Sequence, residues 1–309
     1  MNATLSKTMR VAPEVRRALE QEAPVVALES AVITHGLPRP DNLSLANDME
    51  ATVKSHGALP ATVGPIDGVL VVGLSGAELH TLAYHDQPQK IGVRDFGPAI
   101  AKRLTGGTTV SGTLVACGLA GVKVFATGGI GGVHRWPPYD ISADLPQLRR
   151  TPTVVVCAGA KAILDLPATL EVLETLGVPV IGYQTEEFPA FYSAESGLKV
   201  PYQAKDAEEV AQIARAHWSM GLQSAVLVVV PPPKPLPRAH VEQAVNQALD
   251  EARSQGIRGH AMTPFLLQRV AELTGHTSVD ANVELLKNNA RVAARIADAL
   301  SAQKHLRVV

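Results

Sequence analysis

The chain has 309 residues, of which 46% are hydrophobic and 18% charged, and its formal net charge is −1 at pH 7. This composition supports a large buried core and argues against global disorder. The near-neutral charge argues against a general nucleic-acid binder and a membrane-surface binder, because both contacts depend on an excess of positive charge.

The segment before Pro24 lacks the apolar core of a signal peptide, and no apolar run reaches membrane-spanning length. The two cysteines, Cys117 and Cys157, lie in apolar stretches of small residues and show no zinc-type spacing. We therefore expect two buried, reduced thiols rather than a catalytic cysteine. Reduced thiols and the lack of a signal-peptide core lead us to expect a cytoplasmic location.

Six short apolar runs predict strands that are buried on both faces, since their polarity is continuous rather than alternating. In chain order they are PVVALES (24–30), GVLVVGL (68–74), VKVFATGG (122–129), TVVVCAGA (153–160), VPVIGYQ (178–184) and SAVLVVV (224–230). Amphipathic stretches, several of which end in glycine, predict helices over 41–57, 75–85, 166–177, 206–221, 238–256, 263–275 and 279–303.

This alternation of strands and helices predicts an α/β fold, a layered α/β/α sandwich around a largely parallel or mixed central sheet. The chain shows no internal repeat and no low-complexity linker. We therefore predict one domain over residues 1–309.

Two stretches predict glycine-rich loops: ATGGIGGVHR (126–135), which follows an apolar run, and TGGTTVSGT (105–113), which is rich in hydroxyls. Glycines there let the backbone approach a ligand closely, although a structural tight turn explains each loop about as well. Because such loops gather at the carboxyl ends of strands, the pair favours an anionic or sugar ligand.

Three carboxylates are candidates for the same site: Glu29, Asp140 and Asp144. Glu29 ends the first predicted strand, where a carboxylate either caps a helix or takes part in catalysis. Asp140 and Asp144 lie in YDISADL, where Asp140 or Ser142 could cap a helix. The alternative is ligation of Mg²⁺ or Mn²⁺, which accept few carboxylates and keep waters. No His/Cys cluster predicts a zinc site, and His134 is a lone loop histidine.

Lys161 follows VVVCAGA, at the point where a buried strand should give way to a helix. One interpretation is a lysine in the first turn of that helix, with its amine in solvent. The other is an amine that attacks a sugar aldehyde and forms a Schiff base. Lys90, in PQKIGVRD, is either an exposed loop lysine or a second cation for a phosphate.

Seven longer stretches together resemble the pseudouridine-5′-phosphate glycosidase family, to which indigoidine synthase A also belongs. They run in the family's order from about Pro13 into the last predicted helix: VVALESAVITHGLPRPDN, GALPATVGPIDGVLVVGLS, ATGGIGGVHR, DISADL, VVCAGAKAILDL, GVPVIGYQTEEFPAF and TPFLLQRVAELTG. The HRWPPYD and DFGPAIAKRLTGG stretches depart from the family's pattern but contain neither Glu29 nor Lys161, so they affect loop shape and rate rather than reaction type.

The resemblance implies reversible cleavage of the carbon–carbon glycosidic bond of pseudouridine 5′-phosphate with water, giving uracil and ribose 5-phosphate. It implies that Lys161 forms a Schiff base with the opened sugar and that Glu29 donates the proton. It assigns Mn²⁺ to Asp140. The implied substrate contacts are Lys90, Val110, Ser142, Ala143, Asp144 and, near the uracil, Asn282.

The resemblance also implies a homotrimer that acts on a small molecule. The net charge, as stated above, predicts a protein that binds neither nucleic acid nor membrane. Two alternatives stay open. A Schiff-base aldolase or lyase acting on another sugar phosphate would share Lys161 and the loops but would not recognise uracil. A nucleotide-binding regulatory protein without catalysis would show no turnover, and the joint presence of Glu29, Lys90, Asp140 and Lys161 argues against it.

Overall fold

A nine-stranded sheet organises this computed structural model, which describes residues 5–137, 139–258, 262–275 and 277–302. In spatial order its strands are β1 (Met9–Val11), β4 (Val69–Val72), β3 (Leu59–Ile66), β2 (Val25–Leu28), β7 (Val124–Ala126), β9 (Val154–Cys157), β13 (Val226–Val229), β11 (Val180–Tyr183) and β12 (Tyr202–Ala204). Neighbours from β3 to β12 pair in parallel. At the other edge, β4 runs antiparallel to β3 and parallel to β1.

The six predicted strands are all present in this sheet as β2, β4, β7, β9, β11 and β13. Val25–Leu28, Val154–Cys157 and Val226–Val229 are buried at every position, as expected for strands that are covered on both faces. Two small sheets lie beside the large one. One pairs β5 (Gln89–Ile91) with β6 (Gly106–Thr108), and the other pairs β8 (Val133–His134) with β10 (Leu164–Asp165).

Helices flank the central sheet, which confirms the predicted α/β fold. They are α1 (Leu5–Thr8), α2 (Pro13–Glu20), α3 (Ala31–His35), α4 (Asp41–Ser55), α5 (Gly76–Ala83), α6 (Phe96–Ala101), α7 (Val110–Ala120), α8 (Asp144–Leu148), α9 (Leu166–Thr175), α10 (Ala207–Ser219), α11 (Arg238–Ser254), α12 (Met262–Leu273) and α13 (Thr277–Ala302). Within the described ranges, no helix is long and apolar enough to cross a membrane. The one-domain organisation stays a prediction.

The order of the strands creates a crevice between β2 and β7. After β2 the chain adds β3 on one side, and it later returns to add β7 on the other side. In open α/β sheets, ligands bind outside the carboxyl ends of the strands at such a switch point. Glu29 directly follows β2 and Thr127 directly follows β7, so both residues lie at this crevice.

Candidate functional site

Glu29 is buried at the carboxyl end of β2, with 8% of its surface exposed. Its carboxylate accepts a hydrogen bond from the hydroxyl of Thr127, and it does not cap the helix that begins two residues later. Burial raises the pKa of the Glu29 carboxyl, while Lys161 and the Thr127 hydrogen bond oppose this rise. A buried carboxyl with a raised pKa is suited to carry a proton near neutral pH.

The loop after β7 is joined to the loop after β9 by backbone hydrogen bonds. Ala158 N donates to Gly128 O at 2.9 Å, Ile130 N donates to Gly159 O at 3.0 Å, and Lys161 N donates to Ile130 O at 3.1 Å. Gly159 has a φ of +84°, and a Cβ there would lie 2.2 Å from Pro189 O, so this turn requires glycine. The two loops therefore hold Thr127 and Lys161 in a fixed relation.

Lys161 lies in this second loop and not in a helix, because α9 begins only at Leu166. The interpretation of Lys161 as a first-turn helix residue is therefore wrong. Lys161 is half-buried, and its amine makes no hydrogen bond or salt bridge to the residues that the structure describes. Its charge nevertheless acts on both Glu29 and Lys90. The amine is thus available to react with a ligand in the crevice.

Lys90 lies on β5, whose partner β6 leads directly into α7. Although Lys90 is exposed, desolvation of its amine and then the charge of Lys161 lower its pKa, while Asp144 and Glu29 oppose this shift. The charge of Lys90 therefore interacts with those of Lys161, Asp144 and Glu29, and we call these four residues the charged cluster. The interpretation of Lys90 as an isolated loop lysine does not explain these interactions.

Asp144 is 5% exposed and is held by two backbone amides. Ser111 N donates to its Oδ1 and Gly131 N donates to its Oδ2, each at 2.8 Å. A Cβ at Gly131 would lie 2.7 Å from Asp144 Oδ2, so glycine is needed for this approach. Asp144 therefore connects the loop after β7 to the start of α7.

Val110 is the first residue of α7 and is 1% exposed. Thr109 caps this helix by accepting a hydrogen bond from Gly112 N at 3.3 Å. The start of α7 lies close to Asp144, which binds Ser111 N, and the strand before it pairs with the strand that carries Lys90. A lysine and the amino end of a helix together favour an anionic group.

Ser142, Ala143 and Asp140 lie in the segment that leads into α8. Ser142 Oγ accepts a hydrogen bond from Asp144 N at 3.2 Å, but Ala143 occupies the N-cap position and no side chain caps α8, so the capping interpretation does not hold for Ser142. Asp140 does not cap the helix, and its backbone oxygen accepts a hydrogen bond from His134 N at 2.9 Å. The carboxylate of Asp140 makes no hydrogen bond or salt bridge to described residues.

Asn282 is half-buried on α13 and makes no hydrogen bond to the described residues of the cluster. Its position relates it to the site through Asn289, which lies seven residues later on the same face of the helix. Asn289 donates hydrogen bonds to the loop after β7. Along the axis of α13, Asn282 therefore lies about 10 Å before Asn289, the residue that contacts this loop directly.

Three contributors to the site were not identified from the sequence: Thr127, Ser111 and Asn289. Thr127 and Ser111 contribute a hydroxyl and a backbone amide whose partners are remote in sequence. His134 was noted only as a loop histidine; its Nδ1 is buried and has no partner among the described residues. Burial lowers the pKa of His134, which Asp140 opposes.

The cysteines take no part in the charged cluster. Cys117 and Cys157 are buried and unpaired, and burial raises the pKa of each thiol to about 12. Thiols with such pKa values are poor nucleophiles at neutral pH, which agrees with the prediction of two buried thiols.

The assembled site contains two carboxylates and two amines whose charges act on one another: Glu29, Asp144, Lys90 and Lys161. This arrangement offers a nucleophilic amine, a buried proton carrier and a cation for an anionic group. It lies at the switch point of a parallel sheet, where small polar ligands bind.

Known proteins resemble the chain over almost all of its length. A sequence model of the family described as "Indigoidine synthase A like protein" matches residues 14–299. The pseudouridine-5′-phosphate glycosidase of Caldanaerobacter subterraneus is 50% identical over 297 residues, which cover 95% of this chain and 97% of that protein. The glycosidase of the same name from Chloroflexus aurantiacus is 52% identical over 301 residues, covering 95% of this chain and 99% of the relative.

Two solved structures share the fold. The crystal structure of the prealnumycin C-glycosynthase in complex with ribulose 5-phosphate has a TM-score of 0.90 at 40% identity, covering 97% of this chain and 99% of that one. An indigoidine synthase A-like protein from Thermotoga maritima has a TM-score of 0.86 at 33% identity, covering 95% and 96% of the two chains. The chain therefore belongs to the family of indigoidine synthase A-like proteins.

Proposed function

We propose that this protein reversibly cleaves the carbon–carbon glycosidic bond of pseudouridine 5′-phosphate with water, giving uracil and ribose 5-phosphate. The observation that carries the proposal is the amine of Lys161, which has no hydrogen bond or salt bridge to described residues and whose charge acts on the buried Glu29. The roughly 50% identity to glycosidases of this name supports the same substrate.

The first step opens the sugar ring. The bond between C1′ and the ring oxygen breaks, the ring oxygen takes a proton, and the neutral amine of Lys161 bonds to C1′. Glu29 supplies the proton, since burial raises its pKa and so favours the protonated form. The surplus proton of the attached amine leaves through solvent or returns to Glu29.

The second step breaks the carbon–carbon bond. Uracil C5 takes a proton, the electron pair of the C1′–C5 bond stays with the uracil ring, and the nitrogen lone pair of Lys161 forms the iminium at C1′. A glycosidase with only two carboxylates has no such nitrogen lone pair, which is needed to break a glycosidic bond to carbon. Water then hydrolyses the iminium to the aldehyde of ribose 5-phosphate and releases the amine of Lys161.

The remaining residues of the cluster bind and orient the sugar phosphate. Lys90 and the amino end of α7, at Val110, offer positive charge for the phosphate. Asp144, Ser142 and Ala143 line the approach to α8, where Asp144 is fixed by two backbone amides and can accept hydrogen bonds from sugar hydroxyls. Asn282 on α13 is assigned to the uracil.

Substrate comparison tests this function. We expect uracil release from pseudouridine 5′-phosphate, and release at least about 100-fold slower from uridine 5′-phosphate, whose base is joined through nitrogen. Unphosphorylated pseudouridine should react about 10–100-fold less efficiently, because it lacks the charged contact with Lys90. Uracil is measured by chromatography, with Lys161→Ala as the inactive control.

The same assay separates the alternatives. An aldolase or lyase for another sugar phosphate would bind ribose 5-phosphate without releasing uracil, and a regulatory protein would release nothing. Equal rates on all three substrates would contradict both the mechanism and the phosphate role of Lys90.

Asp140 is the residue that we assign to Mn²⁺. The described parts of the chain contain no group of three or more His, Cys, Asp or Glu residues suited to a metal. A metal site in which the protein supplies every ligand therefore does not fit these residues. A single carboxylate that makes no hydrogen bond or salt bridge to the described residues fits a hard ion that keeps most of its waters. When bound, such an ion would supply positive charge and ordered water beside the substrate.

Removal of the metal should therefore reduce activity reversibly. We expect exhaustive chelation to lower uracil release and Mn²⁺ to restore it, and Asp140→Ala to fold normally but need at least about tenfold more Mn²⁺. Titration of Mn²⁺ against activity measures this need. Asp250→Ala, which removes an exposed aspartate on α11, is the control. Full activity after chelation, or a tightly held zinc ion, would contradict the assignment.

The homotrimer, which rests on the family resemblance, and the cytoplasmic location, which rests on the sequence pattern and the unpaired cysteines, are further proposals. The molar mass in solution tests the first, because a trimer has three times the chain mass of 32.6 kDa.

A further inference from the structure

Asn289 is a polar residue on the apolar face of α13. It is fully buried, and its helix neighbours Leu285, Leu286, Ala290 and Ala293 belong to the main hydrophobic core. An asparagine in this environment loses its contacts with water and therefore needs hydrogen-bond partners in the protein.

Only one end of the Asn289 amide has such partners. Its Nδ2 donates to Thr127 O at 2.8 Å and lies 3.4 Å from Gly128 O as a second acceptor. Two carbonyl acceptors identify this atom as the nitrogen. Its Oδ1 is buried without a partner among the described residues, which lowers stability. A leucine has a similar branched shape and would remove this unpaired oxygen, but it would leave Thr127 O without its donor, so the bonds to the loop after β7 account for the asparagine here.

The two carbonyls belong to the turn that connects the catalytic groups. The hydroxyl of Thr127 donates to Glu29. Gly128 O also accepts a hydrogen bond from Ala158 N at 2.9 Å, at the start of the loop that carries Lys161. Asn289 therefore binds the two residues that support the catalytic groups: Thr127, which donates to Glu29, and Gly128, which binds the loop that carries Lys161.

We propose that Asn289 is a positioning residue for the reaction assigned above. By holding the carbonyls of Thr127 and Gly128, it keeps the Thr127 hydroxyl directed at Glu29 and keeps the two loops in register. This inference rests on the proposed function. In the described structure Asn289 makes no hydrogen bond to Glu29 or Lys161, so it would act on them only through Thr127 and Gly128.

Asn289→Leu tests the proposal through turnover. We expect kcat for uracil release to fall about 10–100-fold with a smaller change in KM, because Asn289 makes no hydrogen bond to Lys90, Val110 or Asp144, the residues assigned to the phosphate and sugar. The melting temperature should fall by several degrees, because Thr127 O loses its donor, but the protein should stay folded at the assay temperature. The control is Asn288→Leu on the same helix, which removes a side chain that accepts from Arg291 at 2.6 Å and should leave kcat unchanged.

A titration of Glu29 tests the proposal without turnover. The groups whose charges act on Glu29 are Lys161, Asp144 and Lys90, and all three stay in place in Asn289→Leu. Because the Thr127 hydrogen bond lowers the pKa of Glu29, its loss should raise this pKa further. Carbon-13 NMR of labelled glutamate, with Glu29→Gln to assign the signal, measures the shift.

A double-mutant cycle identifies the path of the effect. Thr127→Val should give a similar upward shift, and the combined variant should shift no further than Thr127→Val alone, because both changes remove the same hydrogen bond. Additive shifts, or an unchanged Glu29 titration and kcat in Asn289→Leu, would overturn the proposal. Should Asn289→Leu not fold, Asn289→Ala carries the same expectations, and failure of both to fold would assign Asn289 to folding instead.

The two readouts separate this inference from the proposed function. Absence of uracil release by the unmodified protein would refute the function, whereas the Glu29 titration would still decide whether Asn289 acts through Thr127.

Discussion

Lys161→Ala is expected to reduce uracil release by about 10⁵-fold or more, while leaving the fold intact. The size of the effect follows from the role of Lys161 as the nucleophile whose lone pair drives the cleavage of the carbon–carbon bond. Lys161 is only half-buried and makes no side-chain hydrogen bond to described residues, so its truncation removes little stabilising contact. Initial rates with pseudouridine 5′-phosphate measure the loss.

Two further variants distinguish the nucleophile from a mere positive charge. Lys161→Arg keeps the charge but cannot form the iminium, so it should be as inactive as Lys161→Ala. Lys205→Ala removes an exposed lysine at the end of β12 and should retain full activity. Activity of Lys161→Arg within tenfold of the unmodified protein would assign Lys161 an electrostatic role only.

Glu29→Gln is expected to lower uracil release by about 10²–10⁴-fold, the usual effect of losing a general acid–base group. Glutamine has almost the same shape and can still accept the Thr127 hydrogen bond through its amide oxygen. The pH profile of kcat should lose the ionisation that belongs to Glu29, because glutamine does not titrate. Rates measured across pH 5–9 test this expectation.

The same substitution should stabilise the protein at neutral pH. Burial raises the folded-state pKa of Glu29 above the ordinary value of 4.5. The folded protein therefore binds this proton more tightly than the unfolded chain, and stability falls as pH rises from 4.5 through the folded-state pKa. Glutamine removes this penalty, so Glu29→Gln should melt higher than the unmodified protein at pH 7, with the difference vanishing below about pH 4.

Glu50→Gln is a matched control for both expectations. Glu50 also accepts a threonine hydroxyl, from Thr62 at 2.7 Å, but its charge does not act on the groups of the site. It should keep its activity and show no comparable gain in stability. A Glu29→Gln variant that is fully active would show that the proton comes from another group.

The strands and helices could be predicted because their apolar patterns are local. All six predicted strands are present, and the predicted helices over 41–57, 166–177 and 206–221 appear as α4, α9 and α10. The strand Leu59–Ile66 was not predicted, since its Pro60 and Pro65 are atypical of a central strand. Local apolar patterns therefore predicted the layers of the fold but missed β1, β3 and β12 of the central sheet and the short strands of the two small sheets.

The immediate surroundings of Lys161 could not be read from the sequence. A strand followed by small residues predicts a helix, yet Gly159 adopts a positive φ and Ala160 bridges to Ile130 in the neighbouring loop. After this bridge to a segment thirty residues away, the chain makes a turn over Ala162 and Ile163 and then forms β10, so α9 begins only at Leu166. Long-range contacts decided between the two interpretations of Lys161, and local spacing alone did not.

The grouping of Glu29, Lys90, Asp144 and Lys161 was expected from the family resemblance, and the structure brings their charges into one cluster. The residues that support them were not expected. Thr127 has no distinctive spacing, whereas Asn289 offered a usable signal, a polar residue on the apolar face of a predicted helix. A polar residue at such a position indicates a buried hydrogen bond, although its partner stays unknown from the sequence alone.

The mass of the peptide that carries Lys161 tests the central claim most directly. Incubation with ribose 5-phosphate and borohydride should reduce the iminium to a stable amine. Trypsin should then leave one peptide over residues 151–199, uncut after Lys161 and heavier by the mass of the reduced sugar phosphate less one water. An adduct on Lys90 or another lysine, or uracil release at the full rate without any adduct, would contradict the Schiff-base mechanism.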